Sequence, residues 1–398
     1  MEKIAIVTPG FLPVPAVNGG GVEKLIDYII SYNETNPFYE IDLLTIDSKL
    51  IDSYKYKFCN IIRVKKSSFS SIIYRILNKL CKFFKLDVNF NYYERSVVRF
   101  LRKRKYKYIV IENNMQIFEM LFNQTKFDNI IFHLHNDIKN DFAKTPELAY
   151  FILKKSLRVL VVSDYLRNEL LKLVDDNYNQ NTVLTIPNAI DLDIFNPLNV
   201  KEENKIYFLN KFGITNDDFV FLYTGRFSEE KGLNYLISAF NFLCKDYKNI
   251  KLLCVGSSDF SNHTISNYEM EIYNNSKNNN NIIFTGCLPQ NELAVIYSIS
   301  DCVCIPTIVE ETFCLVALES LFMGKMVIGT RSGGMTELIN GKGIVIEKDD
   351  IENNLRKEML NLIENNKGKK NFYDLSDYKR KFDKNNYGAN FFDILSKL

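Results

Sequence analysis

The sequence predicts an α/β protein of two doubly wound domains, each a parallel sheet with helices on both faces. Three observations support this prediction. Short apolar runs suited to buried strands alternate with helix-like segments along the chain. The pattern restarts after a Pro-bounded, turn-rich linker at 187–197. The chain has 398 residues, of which 46% are apolar and 25% charged, so it is long enough for two or three globular domains.

The first half begins with a strand, a glycine-rich loop and a helix. The run KIAIVT at 3–8 leads into a loop with Gly19, Gly20 and Gly21, and the helical pattern VEKLIDYIISY follows. Glycines let backbone N–H groups approach a ligand at a helix N-terminus, where the helix dipole favours an anion. The loop therefore predicts either an anion site or a flexible connection without one.

Domain limits follow from where the strand pattern stops and restarts. The first domain is expected over 1–195 and the second over 196–372, with a deep cleft between them. Helix-like residues 373–398 are expected to cross back to the first domain. The strand-like runs are KIAIVT, YEIDLLTI, NIIRV, KYIVIE, NIIFHLH, RVLVVS and TVLTIPN, then FVFLYTG, IKLLCVG, IIFTG, DCVCIP, MVIGT and GIVIE.

Composition excludes several classes of protein. A net charge of +2 does not suit a nucleic-acid binder. The eight cysteines include no CxxC pair and the three histidines no metal-ligand spacing, so we expect neither disulfides nor a metal site. No apolar run approaches the ~18 residues of a membrane span, and the first residues lack the layout of a signal peptide. We therefore expect a cytoplasmic protein without a cofactor.

Positive charge is concentrated between residues 55 and 107. This region holds sixteen Lys and Arg residues against two acids. Within it, Arg75, Lys79, Lys82 and Lys85 recur at helical spacing opposite an apolar face. Such a basic amphipathic helix predicts docking on an anionic membrane surface, peripheral on the inner face of the cell membrane. The competing interpretation is a surface helix whose apolar stripe packs on the sheet.

Two cations and two carboxylates follow strands of the second domain. Arg226 and Lys231 come after FVFLYTG and before a helix, where fixed cations beside a helix N-terminus suit a diphosphate. Glu311 and Glu319 come after DCVCIP, and each carboxylate has two oxygens with which to bind a vicinal diol. Open α/β sheets bind ligands at the carboxyl ends of their strands. The alternative for each pair is a set of solvated surface charges.

Two further features carry less information. His133 and His135 end the strand NIIFHLH and share a face if the strand continues, and the polar residues that follow favour a site role for His135. The turn from Gly286 to Pro289, which includes Leu288, has a backbone suited to holding a flat base. Any turn between a strand and a helix has this appearance.

Together these residues resemble family-4 retaining glycosyltransferases of the GT-B fold. The resemblance covers most of the chain and includes the family's E-x7-E motif, matched by Glu311 through Glu319. The order GR…KG, then E-x-F…E, then GG…E is specific. It implies two Rossmann-like domains facing a deep interdomain cleft. The strongest segments are TGRFSEEKGLNYLISAF and GCLPQNELAVIYSISDCVCIPTIVEETFCLVALESLFMGKMVIGTRSGGMTELI.

The resemblance also implies a role for each matched residue. Arg226 and Lys231 would hold the donor diphosphate and stabilise its charge on leaving, while Glu319 would bind the nucleotide ribose. Glu311 would contact hydroxyls of the donor sugar, and His135 would lie near the anomeric centre or the acceptor. The implied catalytic residues are thus Glu311, His135, Arg226 and Lys231, and the donor-binding residues are Gly19, Gly20, Gly21, Arg226, Lys231, Leu288, Glu311, Thr312, Phe313, Cys314, Leu315 and Glu319.

One residue departs from the family pattern. The family usually has Gly after the Phe of its E-x-F-G segment, and this chain has Cys314. A side chain there needs room and would be strained at backbone angles that only Gly adopts. We therefore expect donor geometry or sugar choice to differ, with activity retained.

The implied reaction transfers a sugar from a UDP- or GDP-linked donor to a hydroxyl of a glycan or lipid-linked acceptor, with retention and without a metal. Such a reaction would serve assembly of bacterial surface polysaccharide or glycolipid. Two alternatives remain: a nucleotide-sugar epimerase on the same fold, and a non-catalytic GT-B binding or scaffold protein. Product formed with and without acceptor separates a transferase from an epimerase, and the complete set of motif residues argues against a scaffold.

Overall fold

The computed structural model describes residues 1–65, 91–137, 146–258, 265–365 and 374–398. Contacts divide the chain into unit 1, which is Met1–Asn188 with Lys384–Leu398, and unit 2, which is Ala189–Asp383. The domain limits expected at 195 and 372 both fall inside unit 2 by this division. The predicted basic helix around Arg75, Lys79, Lys82 and Lys85 lies outside the described residues.

Among its described residues, unit 1 has a sheet of seven parallel strands in the order β3-β2-β1-β4-β5-β6-β7. The order reverses between β1 and β4, so loops diverge there and leave room for a ligand. The central strands β1, β4, β5 and β6 are almost wholly buried, as expected where helices cover both faces of a sheet, while the edge strands β3 and β7 are only partly buried. They are β1 (Lys3–Val7), β2 (Glu40–Ile46), β3 (Cys59–Val64), β4 (Ile109–Glu112), β5 (Ile130–Leu134), β6 (Arg158–Val161) and β7 (Val183–Thr185).

The described part of unit 2 has a second parallel sheet, of six strands, in the order β10-β9-β8-β11-β12-β13. Its order reverses between β8 and β11. One apolar cluster packs on each of the two faces of this sheet, which explains the uninterrupted apolar runs of its strands. The strands are β8 (Phe219–Thr224), β9 (Ile250–Val255), β10 (Ile282–Gly286), β11 (Cys302–Ile305), β12 (Met326–Thr330) and β13 (Ile344–Ile346).

Helices connect the strands in both units, which gives the β–α alternation seen in the sequence. Those of unit 1 begin with α1 (Gly21–Thr35), α2 (Tyr92–Leu101), α3 (Met115–Thr125), α4 (Pro146–Lys155) and α5 (Asp164–Leu171). Unit 2 follows with α6 (Glu202–Phe212), α7 (Leu233–Leu243), α8 (Asn267–Ser276), α9 (Gln290–Ile299), α10 (Leu315–Phe322), α11 (Gly333–Ile339), α12 (Ile351–Asn365) and α13 (Ser376–Phe382). The last helix, α14 (Lys384–Ser396), belongs to unit 1.

Helix α14 completes unit 1 by packing against α1. The ring of Phe392 stacks on Tyr32 and Phe38, with centroids 6.2 and 5.1 Å apart. A Cβ at Gly388 would lie only 2.4 Å from the Cβ of Tyr32, so glycine allows the two helices this close approach. The C-terminal segment is therefore part of the first unit's core.

The α/β class and the two Rossmann-like parallel sheets predicted from the sequence are confirmed. No helix within the described ranges is both long and apolar enough to span a membrane.

Candidate active site

The turn after β8 and the loop after β11 are tied together at the point where the strand order of unit 2 reverses. Gly232 has φ +69°, and a Cβ there would lie 2.0 Å from the carbonyl oxygen of Pro306. The N–H of Ile308 and the hydroxyl of Thr307 both donate to the carbonyl of Glu230, at 2.9 and 3.1 Å. These contacts fix the two segments relative to each other.

Lys231 and Glu311 meet across this junction. The Nζ of Lys231 lies 2.6 Å from Oε1 of Glu311, and the two side chains are 27% and 13% exposed. The backbone of Glu311 is fixed as well, because its N–H donates to Oγ of Ser332 at 2.9 Å. Ser332 in turn donates to the carbonyl of Val309. A half-buried cation and carboxylate are thus held rigidly at the carboxyl edge of the sheet.

The neighbouring acid, Glu310, has a different task. Its Oε2 accepts from the N–H of Gly333, the first residue of α11, at 2.6 Å, and its Oε1 lies 2.7 Å from Nζ of Lys348. A carboxylate at a helix N-terminus is stabilising because it satisfies an N–H and opposes the helix dipole. Glu310 therefore anchors the loop, which supports the assignment of Glu311 rather than Glu310 as the site residue.

Arg226 is on the same turn as Lys231 and is paired locally. Its Nη2 lies 2.8 Å from Oε1 of Glu230, and just over half of its side chain is exposed. The hydroxyl of Tyr223 donates to the carbonyl of Arg226 and holds the backbone of the turn. The exposed guanidinium is able to exchange Glu230 for another anion, since an exposed pair contributes only about 0–1 kcal/mol.

Glu319, on α10, is buried and hydrogen-bonded to a tyrosine of α9. The hydroxyl of Tyr297 donates to Oε2 of Glu319 at 2.8 Å. Burial raises the pKa of Glu319 to about 7, and the bond from Tyr297 opposes part of that rise. Sequence reasoning missed Tyr297, because nothing in the spacing of the two helices says that their side chains meet.

Cys314 adopts an ordinary backbone conformation. It is the N-cap of α10 with φ −124° and ψ 98°, an extended region open to any residue. The expectation of backbone strain at Cys314 is therefore wrong, because the chain enters the helix without a residue in the left-handed region. The side chain is buried in the core, and burial raises the pKa of its thiol to about 12.

The residues around Cys314 present a helix N-terminus to the same edge. No side-chain cap bond forms at the start of α10, so its first-turn N–H groups suit an anion. Phe313 packs edge-on against Phe382, with centroids 5.9 Å apart. The remaining expected donor-binding residues of this unit, Thr312, Leu315 and Leu288, are partly buried.

In unit 1 the glycine loop precedes α1. Gly19 and Gly20 have φ +77° and +97°, and a Cβ at Gly20 would lie 2.2 Å from Oε2 of Glu23. Gly20 is the N-cap of α1, which begins at Gly21 and has no side-chain cap bond. Burial, with a smaller contribution from Asp27, raises the pKa of Glu23 to about 7, which weakens its repulsion of an anion at this helix end.

His135 lies in a buried cluster at the carboxyl ends of β4 and β5. Its Nε2 lies 2.8 Å from Oε2 of Glu112, and Nδ1 of His133 lies 3.0 Å from the same oxygen. Burial would raise the pKa of Glu112, but the two rings outweigh it and lower the pKa to about 2. Burial and His133 lower the pKa of His135 to about 4, so the carboxylate is ionised and the His135 ring neutral at neutral pH.

This cluster differs from the expectation that the chain has no metal-ligand set. Spacing among the histidines alone does not reveal Glu112, which joins the two rings so that three ligand atoms lie within 4.8 Å of one another. The signal was present in the strand pattern, since Glu112 ends β4 opposite His133 in the register of β5.

Comparison with known sequences gives a family match over most of unit 2. A family model described as glycosyl transferases group 1 matches residues 205–382. The lipopolysaccharide 1,2-N-acetylglucosaminetransferase of Salmonella typhimurium is 28% identical over 233 residues, which are 58% of this chain and 56% of that protein. The alpha-monoglucosyldiacylglycerol synthase of Streptococcus pneumoniae is 30% identical over 157 residues, 39% of this chain and 34% of that protein. The chain therefore spans about half of the first of these two relatives and about a third of the second.

Solved structures match the whole chain. Anabaena HepE, crystallised with UDP-glucose, superposes with a TM-score of 0.73 at 15% identity and full coverage of both chains. WaaG, a glycosyltransferase involved in lipopolysaccharide biosynthesis, gives a TM-score of 0.65 at 16% identity, covering 98% of this chain and 99% of its own. These likenesses establish the fold. The chain has the GT-B fold, and its residues 205–382 match the family model of glycosyl transferases group 1.

Proposed function

We propose that this protein is a retaining glycosyltransferase of the family-4 type. It transfers a sugar from a nucleotide diphosphate sugar, UDP- or GDP-linked, to a hydroxyl acceptor in the assembly of bacterial surface polysaccharide or glycolipid. The observation that carries the proposal is the 2.6 Å pair of Lys231 and Glu311, held beside the N-terminus of α10 at the strand-order reversal of unit 2.

The chemistry of the pair suits the two halves of a sugar diphosphate. Lys231 and the N–H groups of α10 offer positive charge to a leaving diphosphate. Glu311 offers two oxygens to sugar hydroxyls. In the proposed donor complex the ammonium meets the phosphate and the carboxylate meets the sugar, on either side of the bond that breaks. Arg226, on the same turn, adds a second cation for the diphosphate.

The buried Glu319 suits a neutral, hydroxyl-rich group. Its raised pKa and its bond from Tyr297 favour hydrogen bonding over ion pairing, which fits the ribose role implied by the resemblance. In the front-face path proposed for the family, an oxygen of the departing diphosphate helps to deprotonate the acceptor. No side chain then has to act as nucleophile, and cations on Arg226 and Lys231 do the work that a metal does elsewhere.

Relatives support the donor and the pathway. The Anabaena structure was determined with UDP-glucose, and the Salmonella and Streptococcus proteins are named for lipopolysaccharide and glycolipid synthesis. An epimerase, the alternative on the same fold, forms product without an acceptor. A scaffold protein would not need the closely held pair of Lys231 and Glu311.

A matched pair of charge variants tests the proposal. Lys231→Met and Glu311→Gln are expected to lower transfer at least roughly 100-fold, since each removes a charge or oxygen that acts on the reacting bond. Arg331→Met is the control, because Arg331 forms an exposed pair with Glu347 at 2.8 Å in the same unit. Its transfer rate is expected to stay within roughly twofold of wild type. Unchanged transfer in both test variants, with folding intact by circular dichroism, would overturn the assignment.

The donor is identified by thermal shift across a panel of UDP- and GDP-sugars. A ligand that binds the folded chain raises its midpoint, and the Lys231→Met variant should lose the shift. Release of nucleoside diphosphate is then compared with and without a glycan or lipid-linked acceptor. Acceptor-independent isomerisation of the sugar would favour the epimerase.

Association with an anionic membrane surface through residues 55–107 is part of the proposal. Its support is the excess of positive charge, because the helix that would dock lies outside the described residues. Reversing charge at Arg75, Lys79, Lys82 and Lys85 should release the chain from anionic vesicles on sedimentation. Equal sedimentation of both forms would exclude that segment.

A further inference from the structure

The buried cluster of Glu112, His133 and His135 is arranged as a ligand set. We call it the Glu–His–His cluster. Its three side chains are at most 5% exposed, and they come from the ends of two neighbouring strands, β4 and β5. The rings of the two histidines lie 4.1 Å apart by their centroids and face the same carboxylate oxygen.

The distances fit a single small cation. A tetrahedral zinc ion binds nitrogen and oxygen at about 2.0–2.1 Å, which places neighbouring ligand atoms roughly 3.3 Å apart. In the cluster, Oε2 of Glu112 lies 2.8 and 3.0 Å from the two histidine nitrogens, and all three atoms lie within 4.8 Å of one another. A small inward or outward movement of the rings brings them to coordination distance.

Hydrogen bonding within the cluster leaves atoms of His133 and Glu112 without a partner. Nδ1 of His133 approaches Glu112 at 3.0 Å, yet neither nitrogen of this ring has a hydrogen-bond partner. Oε1 of Glu112 is also buried without a partner. Buried polar atoms left without a partner cost about 1–3 kcal/mol each. Such atoms in a folded protein call for an ion or water that satisfies them.

The charges select a cation over a neutral molecule. Carboxylate oxygens and imidazole nitrogens are electron-pair donors, and a nitrogen of each ring already approaches Oε2 of Glu112. Two histidines and one carboxylate are the set that binds zinc in many enzymes and iron(II) in others. Among the described residues, Glu112, His133 and His135 form the group whose ligand atoms lie close enough together to hold a metal ion.

We propose that Glu112, His133 and His135 bind one divalent transition-metal ion, zinc or iron(II), inside unit 1. Because the ligands join β4 to β5 and are shielded from solvent, the ion acts structurally by fixing the loops that follow these strands. It also fixes the ring of His135. The proposal goes beyond the glycosyl transfer, which in the proposed mechanism uses the cations of unit 2 and no metal.

The test is the metal content of the full, tag-free chain, measured by inductively coupled plasma mass spectrometry after purification without chelator. About one ion per chain is expected in wild type. Glu112→Gln and His133→Ala are expected to hold more than roughly tenfold less. The matched control is His263→Ala, which removes the chain's third histidine and should keep the ion. The metal that is found distinguishes zinc from iron.

A second measurement keeps the test decisive if a variant folds poorly. Wild-type protein produced in cobalt-supplemented medium should show visible cobalt d–d absorption, which near-isosteric Glu112→Gln should lack. Wild-type chain that carries less than about a tenth of an ion, and no cobalt spectrum, overturns the proposal. A loss of metal in His263→Ala as large as in His133→Ala does so too, because it would show the ion to be bound elsewhere.

Discussion

At Gly232 a single substitution would disturb the geometry of the candidate site. In Gly232→Ala the new Cβ would lie 2.0 Å from the carbonyl oxygen of Pro306, and contacts below 3.0 Å are essentially never seen. The turn and the loop must therefore separate by at least about 1 Å. The residue also has φ +69°, where any L side chain costs about 1–2 kcal/mol.

The size of the effect follows from the bonds that the separation breaks. The carbonyl of Glu230 accepts from Ile308 at 2.9 Å and from Thr307 at 3.1 Å, and both bonds are lost once the segments move apart by about 1 Å. Each contributes about 1 kcal/mol. The sum with the backbone cost is about 3–4 kcal/mol in the free energy of unfolding. For a unit of this size that is roughly 10 °C in the unfolding midpoint.

Gly213 provides the matched control. It has φ +61° at the C-terminus of α6, and a Cβ there would meet nothing within 4 Å. Gly213→Ala therefore bears the backbone cost alone, about 1–2 kcal/mol. Both variants are compared by thermal unfolding in far-UV circular dichroism, since the chain has no Trp for fluorescence. Activity against donor concentration is measured in parallel.

We expect Gly232→Ala to lose activity as well as stability, because Lys231 is displaced from Glu311, and Gly213→Ala to keep its activity. Equal midpoints in the two variants would refute the steric part of the reasoning. A Gly232→Ala protein with wild-type turnover would refute the link between this contact and the placement of Lys231.

Two further predictions concern buried titrating groups of unit 2. The pKa of Glu319 is about 7 in the fold and 4.5 unperturbed, so the folded chain holds the proton more tightly and stability falls as pH rises between these values. Glu319→Gln should remove this fall in the free energy of unfolding, which amounts to up to about 3 kcal/mol between about pH 5 and pH 8. Urea unfolding measures it in both proteins, and the same pH dependence in wild type and Glu319→Gln would contradict the prediction. The buried Cys314 thiol has a pKa of about 12, so it should resist iodoacetamide in the native chain at mildly alkaline pH, while the exposed Cys287 reacts. Labelling of each cysteine is measured by peptide mass spectrometry, and equal labelling of the two would exclude the burial of Cys314.

The fold was accessible from the sequence because its signals are local. Each buried strand is a short apolar run, and each is followed by a turn and a helical pattern, so the parallel order of both units follows from alternation. The positions of Arg226, Lys231 and Glu311 after particular strands are local in the same sense. Adjacency of β8 and β11 then brings Lys231 to Glu311 across 80 positions of sequence.

The remaining contacts of the site depend on packing that the sequence does not encode locally. Tyr297 reaches Glu319 because α9 and α10 lie side by side, and Ser332, the N-cap of α11, accepts from the N–H of Glu311. The prediction of backbone strain at Cys314 was wrong for the same reason. It assumed a backbone conformation from a sequence position, whereas the chain enters α10 in an extended one.

The two units place their polar residues at equivalent topological positions. In unit 1 the strand order reverses between β1, followed by the glycine loop, and β4, which ends in Glu112. In unit 2 it reverses between β8, followed by Lys231, and β11, followed by Glu311. Loops on either side of such a reversal diverge, so side chains there are not needed to fill a core.

That freedom explains why charged residues are held at these edges by specific contacts. Glu311 is fixed by Lys231 and Ser332, and Glu112 faces His133 and His135, while the strands behind them are apolar and buried. Substitutions of Lys231 and Glu311 should therefore change binding and turnover more than stability, provided that they leave close backbone approaches intact. Gly232 is the exception, because the approach of its turn to Pro306 is itself what positions Lys231.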